Sequence, residues 1–342
     1  MSGPSDVMRL SIFDTPPYGL EDVSAINLGT ILDGPSLIHL RGEQTPPLVV
    51  SVLLHGNETT SWDVARALIA RARGRPLARA IMLFVGNIPA SAAGKRYLPG
   101  QPDFNRIWSG GDQPIHALAA ETLGIFRSVG PFAVIDIHNN TGRNPLYSCV
   151  SRLEPQHLHL ASLFSDLAVY YTNPPSALSV ACSAFAPSIA VECGRSGDPA
   201  GYETALELVE KSLRIDALRQ DFQAVRALKL YHTLGRIMLE DGSTFSFDGA
   251  DADIMIEPGI ETWNFRPIGT EAVWARSGKR KSPLRVIGED GSDMTDKFFR
   301  QEAGETRLIA PATPSMLSTD RDNARLDCLG YLMEGITLGA EG

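Results

Sequence analysis

His55 and Glu58, in the run His-Gly-Asn-Glu, are the only His-x-x-Glu pair among the seven histidines of the chain. Such a pair can hold a metal ion, but with this many histidines a chance match is expected about a third of the time. Position gives the pair its weight. Residues 48–54, Leu-Val-Val-Ser-Val-Leu-Leu, form an apolar run rich in β-branched residues behind Pro46-Pro47, which reads as a fully buried strand. His138 ends a second such run, Ala-Val-Ile-Asp-Ile-His, and Glu192 ends a third, Ser-Ile-Ala-Val-Glu. In open α/β sheets, ligands gather in the crevice beyond the carboxyl ends of the strands. Three strand ends are therefore expected to bring two histidines and two glutamates to one edge.

That set suits catalytic zinc, which takes three nitrogen or oxygen ligands from the protein and keeps one position open for water. His55, Glu58 and His138 meet the requirement, with one Zn²⁺ expected per chain, although other divalent ions accept the same donors. The bound water loses a proton near neutral pH, and the metal also polarises a carbonyl oxygen. Glu192 is then the carboxylate left to take the proton from water and pass it to a departing amine. Asp136, two residues before His138 on the same strand face, either supports the site by hydrogen bonding or is a structural carboxylate. Taken singly, a histidine ending a strand is more often a hydrogen-bonded loop residue than a ligand; the joint arrangement argues for ligands.

The elements needed to hold these residues follow from hydrophobic periodicity. After the turn His-Gly-Asn-Glu-Thr-Thr-Ser, a helix from about Thr60 carries Trp62, Ala65, Leu68 and Ile69 on one face. The strand Ala-Ile-Met-Leu-Phe-Val follows, then a long loop through Trp108, the helix Ile-His-Ala-Leu-Ala-Ala-Glu-Thr-Leu, and the strands ending at His138 and Glu192. Strand and helix in alternation predict an α/β domain with a largely parallel sheet. A helix is expected from about Gly201 to Leu228. Beyond it the texture changes to short alternating runs broken by Gly, Asp and Pro, which predicts hairpins with Lys279-Arg280-Lys281 at one tip. The expected division is a catalytic domain at 1–228 and a small β-rich domain at 229–342.

Composition narrows the function. With 31 basic against 40 acidic residues, a formal charge of −9, no general attraction to nucleic acid or anionic membrane is expected. No basic segment followed by an apolar run opens the chain and no stretch of about 18 apolar residues occurs, so neither export nor membrane spanning is expected. Four cysteines without Cys-x-x-Cys spacing point to a reducing cytoplasm rather than disulfides or a thiolate zinc site. His157 and His159 lack an acidic partner at useful spacing, the arginines of 66–79 read as a solvated face, and neither a phosphate loop nor a Gly-x-Ser-x-Gly elbow occurs.

Five segments in order, His-Gly-Asn-Glu at 55–58, Lys-Arg-Tyr at 95–97, Asp-Phe-Asn-Arg at 103–106, Asp-Ile-His-Asn-Asn-Thr-Gly at 136–142 and Glu-Cys-Gly at 192–194, resemble the succinylglutamate desuccinylase/aspartoacylase family. This is a branch of the zinc carboxypeptidase-like hydrolases, and the similarity covers about residues 48–195. The resemblance implies a mixed, mostly parallel sheet flanked by helices, with a smaller, mostly β C-terminal domain over the active-site mouth. It implies zinc on His55, Glu58 and His138, Glu192 as general base, and Arg96 steadying a developing oxyanion. Asn105 and Arg106 would hold the substrate carboxylate, with Asn139 in the same substrate-binding set. A guanidinium suits both duties, since it is fixed, charged and matched to a carboxylate by two parallel hydrogen bonds. The loop from Arg96 to Asn105 is longer than the compact aspartoacylase form, which leaves the side-chain pocket open, and Arg195 is expected to face solvent.

The expected function is deacylation of a small N-acyl amino acid. Rival readings are a zinc carboxypeptidase acting on short peptides and a non-catalytic small-molecule binder with the same fold. The oligomeric state is left open, a homo-oligomer included.

Overall fold

In the computed structural model, which describes residues 9–278 and 282–338, the buried apolar runs line up as neighbouring strands. The chain forms two compact units: the described residues up to 139 with 146–168 and 174–228, and a second comprising 140–145, 169–173 and the described residues from 229 on.

The first unit is built on β1 (Ser11–Phe13), β2 (Ser36–Leu40), β3 (Gly42–Val52), β4 (Leu77–Val85), β5 (Ala133–His138), β6 (Tyr147–Val150), β8 (Ser188–Glu192) and the first two residues of the short β7 (Leu167–Tyr170). Their order across the sheet is β1-β2-β4-β3-β5-β8-β6-β7. Strands β4, β3, β5 and β8 are mutually parallel, whereas β2 and β6 run antiparallel to their neighbours β4 and β8. The sheet is thus mixed and mostly parallel, as expected. What matters for chemistry is that β3, β5 and β8 stand side by side, so the residues at their carboxyl ends are neighbours.

Helices α1 (Thr60–Gly74), α2 (Ile88–Ala92), α3 (Pro114–Val129), α4 (Pro155–Ser162), α5 (Leu178–Ser183) and α6 (Pro199–Arg214) flank this sheet. Helix α1 buries Trp62, Ala65, Leu68 and Ile69, the apolar stripe read from the sequence, and packs against α6. Leu118 and Phe126 of α3 and Leu178 and Cys182 of α5 close an apolar cluster with Val49, Phe84 and Val134 of the strands. Phe104, Ile107 and Trp108 join it, so the long loop of 93–113 is anchored by its own side chains.

One expected helix is shorter than its apolar spacing suggested. Helix α6 ends at Arg214, where Ile215 turns to extended backbone. Leu218, Val225 and Leu228 are still buried, but on an irregular path with a single 3-10 turn at Phe222–Val225. Apolar periodicity reports which side chains are buried, and an irregular segment can satisfy it.

The second unit is mostly β. Strands β9 (Lys229–Leu239), β13 (Leu284–Gly288), β16 (Thr313–Ser315) and β17 (Gly330–Ile336) form antiparallel pairs β9–β13, β9–β17 and β16–β17. A separate five-stranded sheet has the order β10 (Phe245–Ser246), β11 (Ile254–Ile256), β12 (Val273–Arg276), β15 (Glu305–Leu308), β14 (Phe299–Glu302). Among the described residues β14–β15 is the one tight hairpin of named strands; β9 finds its partners far along the chain, and β10 and β11 pair in parallel. The expectation of successive hairpins is corrected accordingly: turn residues mark where strands end and leave their partners unspecified. The Lys279–Lys281 tip lies outside the described residues. Trp274, Phe298, Phe299 and Leu308 centre this unit's core. Among the described residues no helix is long and apolar enough to cross a membrane.

Phe84 is fully buried and makes edge-to-face contacts with Trp108 and Phe126, ring centroids 5.6 and 6.3 Å away. Phe84→Ala is expected to cost about 3–5 kcal/mol of stability, read by urea unfolding, and to loosen the loop behind Trp108. A loss below about 1 kcal/mol would show that the cluster repacks without it.

Candidate metal centre and active site

The chain leaves β3 under constraint. Leu53 adopts a left-handed backbone (φ 56°), unusual for a branched side chain, and its N–H donates to Ser61 Oγ (3.1 Å) while Asn87 N–H donates to its carbonyl (2.7 Å). Ser61 Oγ in turn donates to Glu58 O (2.8 Å), which ties the His-Gly-Asn-Glu turn to the first turn of α1. Gly56 is required by close approach: a Cβ there would lie 2.1 Å from Ser91 N and 2.2 Å from Ala90 C. Its N–H donates to Arg96 O (3.1 Å), so the turn that carries His55 and Glu58 also holds Arg96 beside them.

The three expected ligands converge. His55 Nδ1 lies 2.7 Å from Glu58 Oε1 and His138 Nδ1 2.8 Å from Glu58 Oε2, with the imidazole centroids 5.1 Å apart. One donor atom from each of the three falls within 4.8 Å of the others, and all three residues are buried. Each ring presents its second nitrogen to another carboxylate: His55 Nε2 to Asp103 Oδ1 at 3.1 Å, His138 Nε2 to Asp136 Oδ2 at 2.7 Å. Two imidazoles with Nδ1 inward and Nε2–H held by carboxylates are the arrangement that orients histidine ligands and raises their basicity.

Charge tests the fit to a metal. Glu58, Asp103 and Asp136 are three carboxylates in this buried cluster, and the Arg96 guanidinium sits against Asp103 and Glu58. Even with Arg106 also acting on Asp103, the carboxylates outnumber the guanidiniums, and the balance falls to protonated imidazoles or to a divalent cation. The first state is visible in the pKa shifts. Burial and Arg96 disfavour a charged His55, yet Glu58 and Asp103 outweigh them and its pKa is raised. Burial likewise works against His138, but Asp136 and Glu58 carry it well above the usual imidazole range. Glu58 and Asp103, despite burial, are held well below the carboxylate range, first by the histidines and for Asp103 also by Arg96 and Arg106. The donor set and its charge both fit a divalent cation.

The remaining expected residues surround this centre. Glu192 is half-buried and stands in register with His138 across β5–β8 and with Tyr147 across β8–β6. Register partners project from the same face of a sheet, so its carboxylate shares the His138 side, and it is not part of the three-residue ligand group. Arg96 Nε and Nη2 donate to Asp103 Oδ2 (3.1 and 3.0 Å), and Nη1 lies 3.9 Å from Glu58 Oε1. Asn105 Nδ2 is 3.3 Å from His138 Nε2, and its Oδ1 accepts from Leu178 N. Arg106 Nη1 donates to Asn105 O (2.9 Å). Asn139 N–H donates to Glu58 Oε2 (3.1 Å), its Nδ2 donates to Gly194 O (2.9 Å), and its Oδ1 accepts from Thr60 N and Ser196 Oγ. Asn139 therefore clamps the ends of β5 and β8 to the start of α1. Arg195 is exposed. His157 and His159, set aside from the sequence, bond backbone groups at Ser188 and Arg219.

Sequence reasoning gave Asp103 no role. Its Oδ1 meets His55 Nε2 and Asn105 N, its Oδ2 meets Arg96, and so it joins the ligand turn to the arginine loop. The available signal was a carboxylate placed two residues before Asn105 in the same short segment.

Comparison with known proteins gives a family and a fold. A family profile described as the succinylglutamate desuccinylase/aspartoacylase catalytic domain matches residues 44–215. A succinylglutamate desuccinylase from Yersinia enterocolitica is 29% identical over 119 residues, 34% of this chain and 35% of that protein, so the match spans about a third of the relative. Among solved structures, a succinylglutamate desuccinylase/aspartoacylase from Rhodobacter sphaeroides has a TM-score of 0.59 at 13% identity, covering 88% of this chain and 89% of the other. The succinylglutamate desuccinylase from Chromobacterium violaceum has a TM-score of 0.55 at 17% identity, covering 89% and 90%. At such identities the structural likeness speaks to fold.

Because both imidazoles are held above their usual pKa, they must lose protons before their Nδ1 lone pairs can bind a cation. Zinc binding is expected to release protons and to tighten as pH rises through and above the ordinary imidazole range. Calorimetric titration in buffers of different ionisation enthalpy reads the proton count; affinity independent of pH, with no proton released, would contradict the assignment.

Proposed function

The chain belongs to the succinylglutamate desuccinylase/aspartoacylase family, and from that membership we propose that it is a zinc-dependent hydrolase cleaving the amide bond of a small N-acyl amino acid. The observation that carries this reading is the convergence of His55 Nδ1 and His138 Nδ1 on the two oxygens of Glu58, each ring backed by a carboxylate.

When bound by His55, Glu58 and His138, a zinc ion supplies Lewis-acid polarisation of the scissile carbonyl and lowers the pKa of a coordinated water toward neutrality. The chain's own residues do the rest. Glu192 takes a proton from the attacking water on a carboxylate oxygen and delivers it to the amide nitrogen as the C–N bond breaks, so that the amine leaves neutral. The Arg96 guanidinium donates to the carbonyl oxygen as negative charge builds there. It needs no reorganisation to do so, because Asp103 fixes it by two hydrogen bonds. Asn105 and Arg106 take the substrate carboxylate, and binding the charged end of the substrate positions the amide. Asn139, with its amide engaged by Gly194, Thr60 and Ser196, serves the substrate site by holding its walls. Among the described residues the cysteines form no disulfide, and a cytoplasmic location is part of this proposal.

Glu192→Gln is expected to keep stoichiometric zinc while kcat falls about 10²- to 10⁴-fold. Near-native turnover with zinc in place would remove Glu192 from the mechanism. A panel of N-acetyl and N-succinyl amino acids beside dipeptides reads the substrate class. Turnover is expected on acylated amino acids alone, and hydrolysis confined to dipeptides would move the reading to a carboxypeptidase.

A further inference from the structure

A hydroxyl stands in the buried, apolar end of β3. Ser51 interrupts the run Leu48–Leu54, is fully buried, and lies on β3 in parallel register with Asp136 of β5. Register partners share a face, and here that face is the one whose Val49 and Val134 join the cluster with Phe104, Leu178 and Cys182. Asp136 is fully buried as well. Its Oδ2 holds His138 Nε2 at 2.7 Å. Its Oδ1 has no hydrogen-bond partner among the described residues, and neither has Ser51 Oγ. Cys182 has a thiol pushed up first by burial and then by the charge of Asp136, and neither it nor the amide of Asn105, 3.3 Å from His138 Nε2, makes a hydrogen bond to that Oδ1.

Each orphan is unfavourable alone, since a buried polar atom without a partner costs about 1–3 kcal/mol, and more when charged. Side by side they complement each other, one an O–H donor and the other a carboxylate acceptor. Paired parallel strands are about 4.8 Å apart. That spacing is one that a serine hydroxyl can span to a facing carboxylate, by rotation about its Cα–Cβ bond or through one shared water.

We infer that Ser51 is a positioning residue for the metal ligand His138, acting through Asp136. By donating to Oδ1 it fixes the plane of the carboxylate, which keeps Oδ2 on the Nε2–H of His138 and leaves Nδ1 directed at Glu58 and the cation. Strand β3 then serves the centre twice, delivering His55 at its end and steadying His138 on the next strand from four residues earlier. The inference rests on His138 being a metal ligand, as proposed above.

The test compares Ser51→Ala with Ser51→Thr, which keeps the hydroxyl. Zinc affinity of the metal-free protein is measured against a chromogenic chelator, alongside the thermal midpoint of the metal-free protein and kcat on the acylated substrate. Ser51→Ala is expected to weaken zinc at least about 10-fold, to lower kcat, and to leave the metal-free midpoint unchanged or raised because a buried hydroxyl has gone. Ser51→Thr is expected to restore most of the affinity. Unaltered zinc affinity in Ser51→Ala, or an equal loss in both variants, would overturn the inference. His138→Ala separates the two levels: if zinc binding by the parent chain does not respond to it, the metal-centre reading fails and this inference with it.

Discussion

The Glu58 carboxylate, shared between two imidazoles in a buried pocket, is the interaction on which the rest of the molecule turns. Taking a carboxylate out of water is costly unless charge and hydrogen bonds replace the solvent. Here each oxygen meets one Nδ1, and Oε2 also accepts the Asn139 N–H. The cost does not end there, because Asp103 and Asp136 are brought in behind the rings. A cluster with this excess of carboxylate is stable only with compensating positive charge, and a divalent cation at the shared point supplies it without relying on protonated rings. The same electrostatics fit the proposed divalent cation.

The backbone is arranged to deliver this convergence. Strands β3, β5 and β8 are adjacent and parallel, so the first helix-leading turn, the third proposed ligand and the proposed base emerge at one edge. Around that edge the chain has little freedom. Leu53 is held in a left-handed conformation, Gly56 is pressed against the α2 backbone, and Ser61 bonds both sides of the turn. The arginine loop is secured to the same frame by a reciprocal amide pair, with Asn87 Nδ2 donating to Gln101 Oε1 (3.0 Å) and Gln101 Nε2 donating to Asn87 Oδ1 (3.1 Å). Such rigidity matters because catalysis by fixed donors depends on their being in place before charge develops.

Much of this was readable from residues alone, for identifiable reasons. A continuous apolar run announces a buried strand, and a histidine or glutamate ending such a run sits where α/β sheets bind ligands, so the positions of His55, His138 and Glu192 followed from local pattern. The fold class followed from the alternation of continuous apolar runs with stretches of helical period. Asp103 was not assigned a role, because its use depends on how a long loop closes over the turn, and no periodicity encodes that. Ser51 was hidden within its own strand, where one polar residue in an apolar run gains meaning only when its register partner is known. Helix α6 was drawn too long because buried Leu218 and Leu228 keep helical spacing on a path that is not helical. Pairing in the β-rich unit was misjudged because the partners of β9 lie far along the chain.

The central claim is spatial, and X-ray diffraction from zinc-loaded crystals above and below the metal's absorption edge tests it most directly. The account predicts one anomalous peak per chain, about 2.0–2.2 Å from His55 Nδ1, His138 Nδ1 and a Glu58 oxygen. A peak bound elsewhere, or a centre in which either histidine ligates through Nε2 with Asp103 or Asp136 displaced, would contradict it.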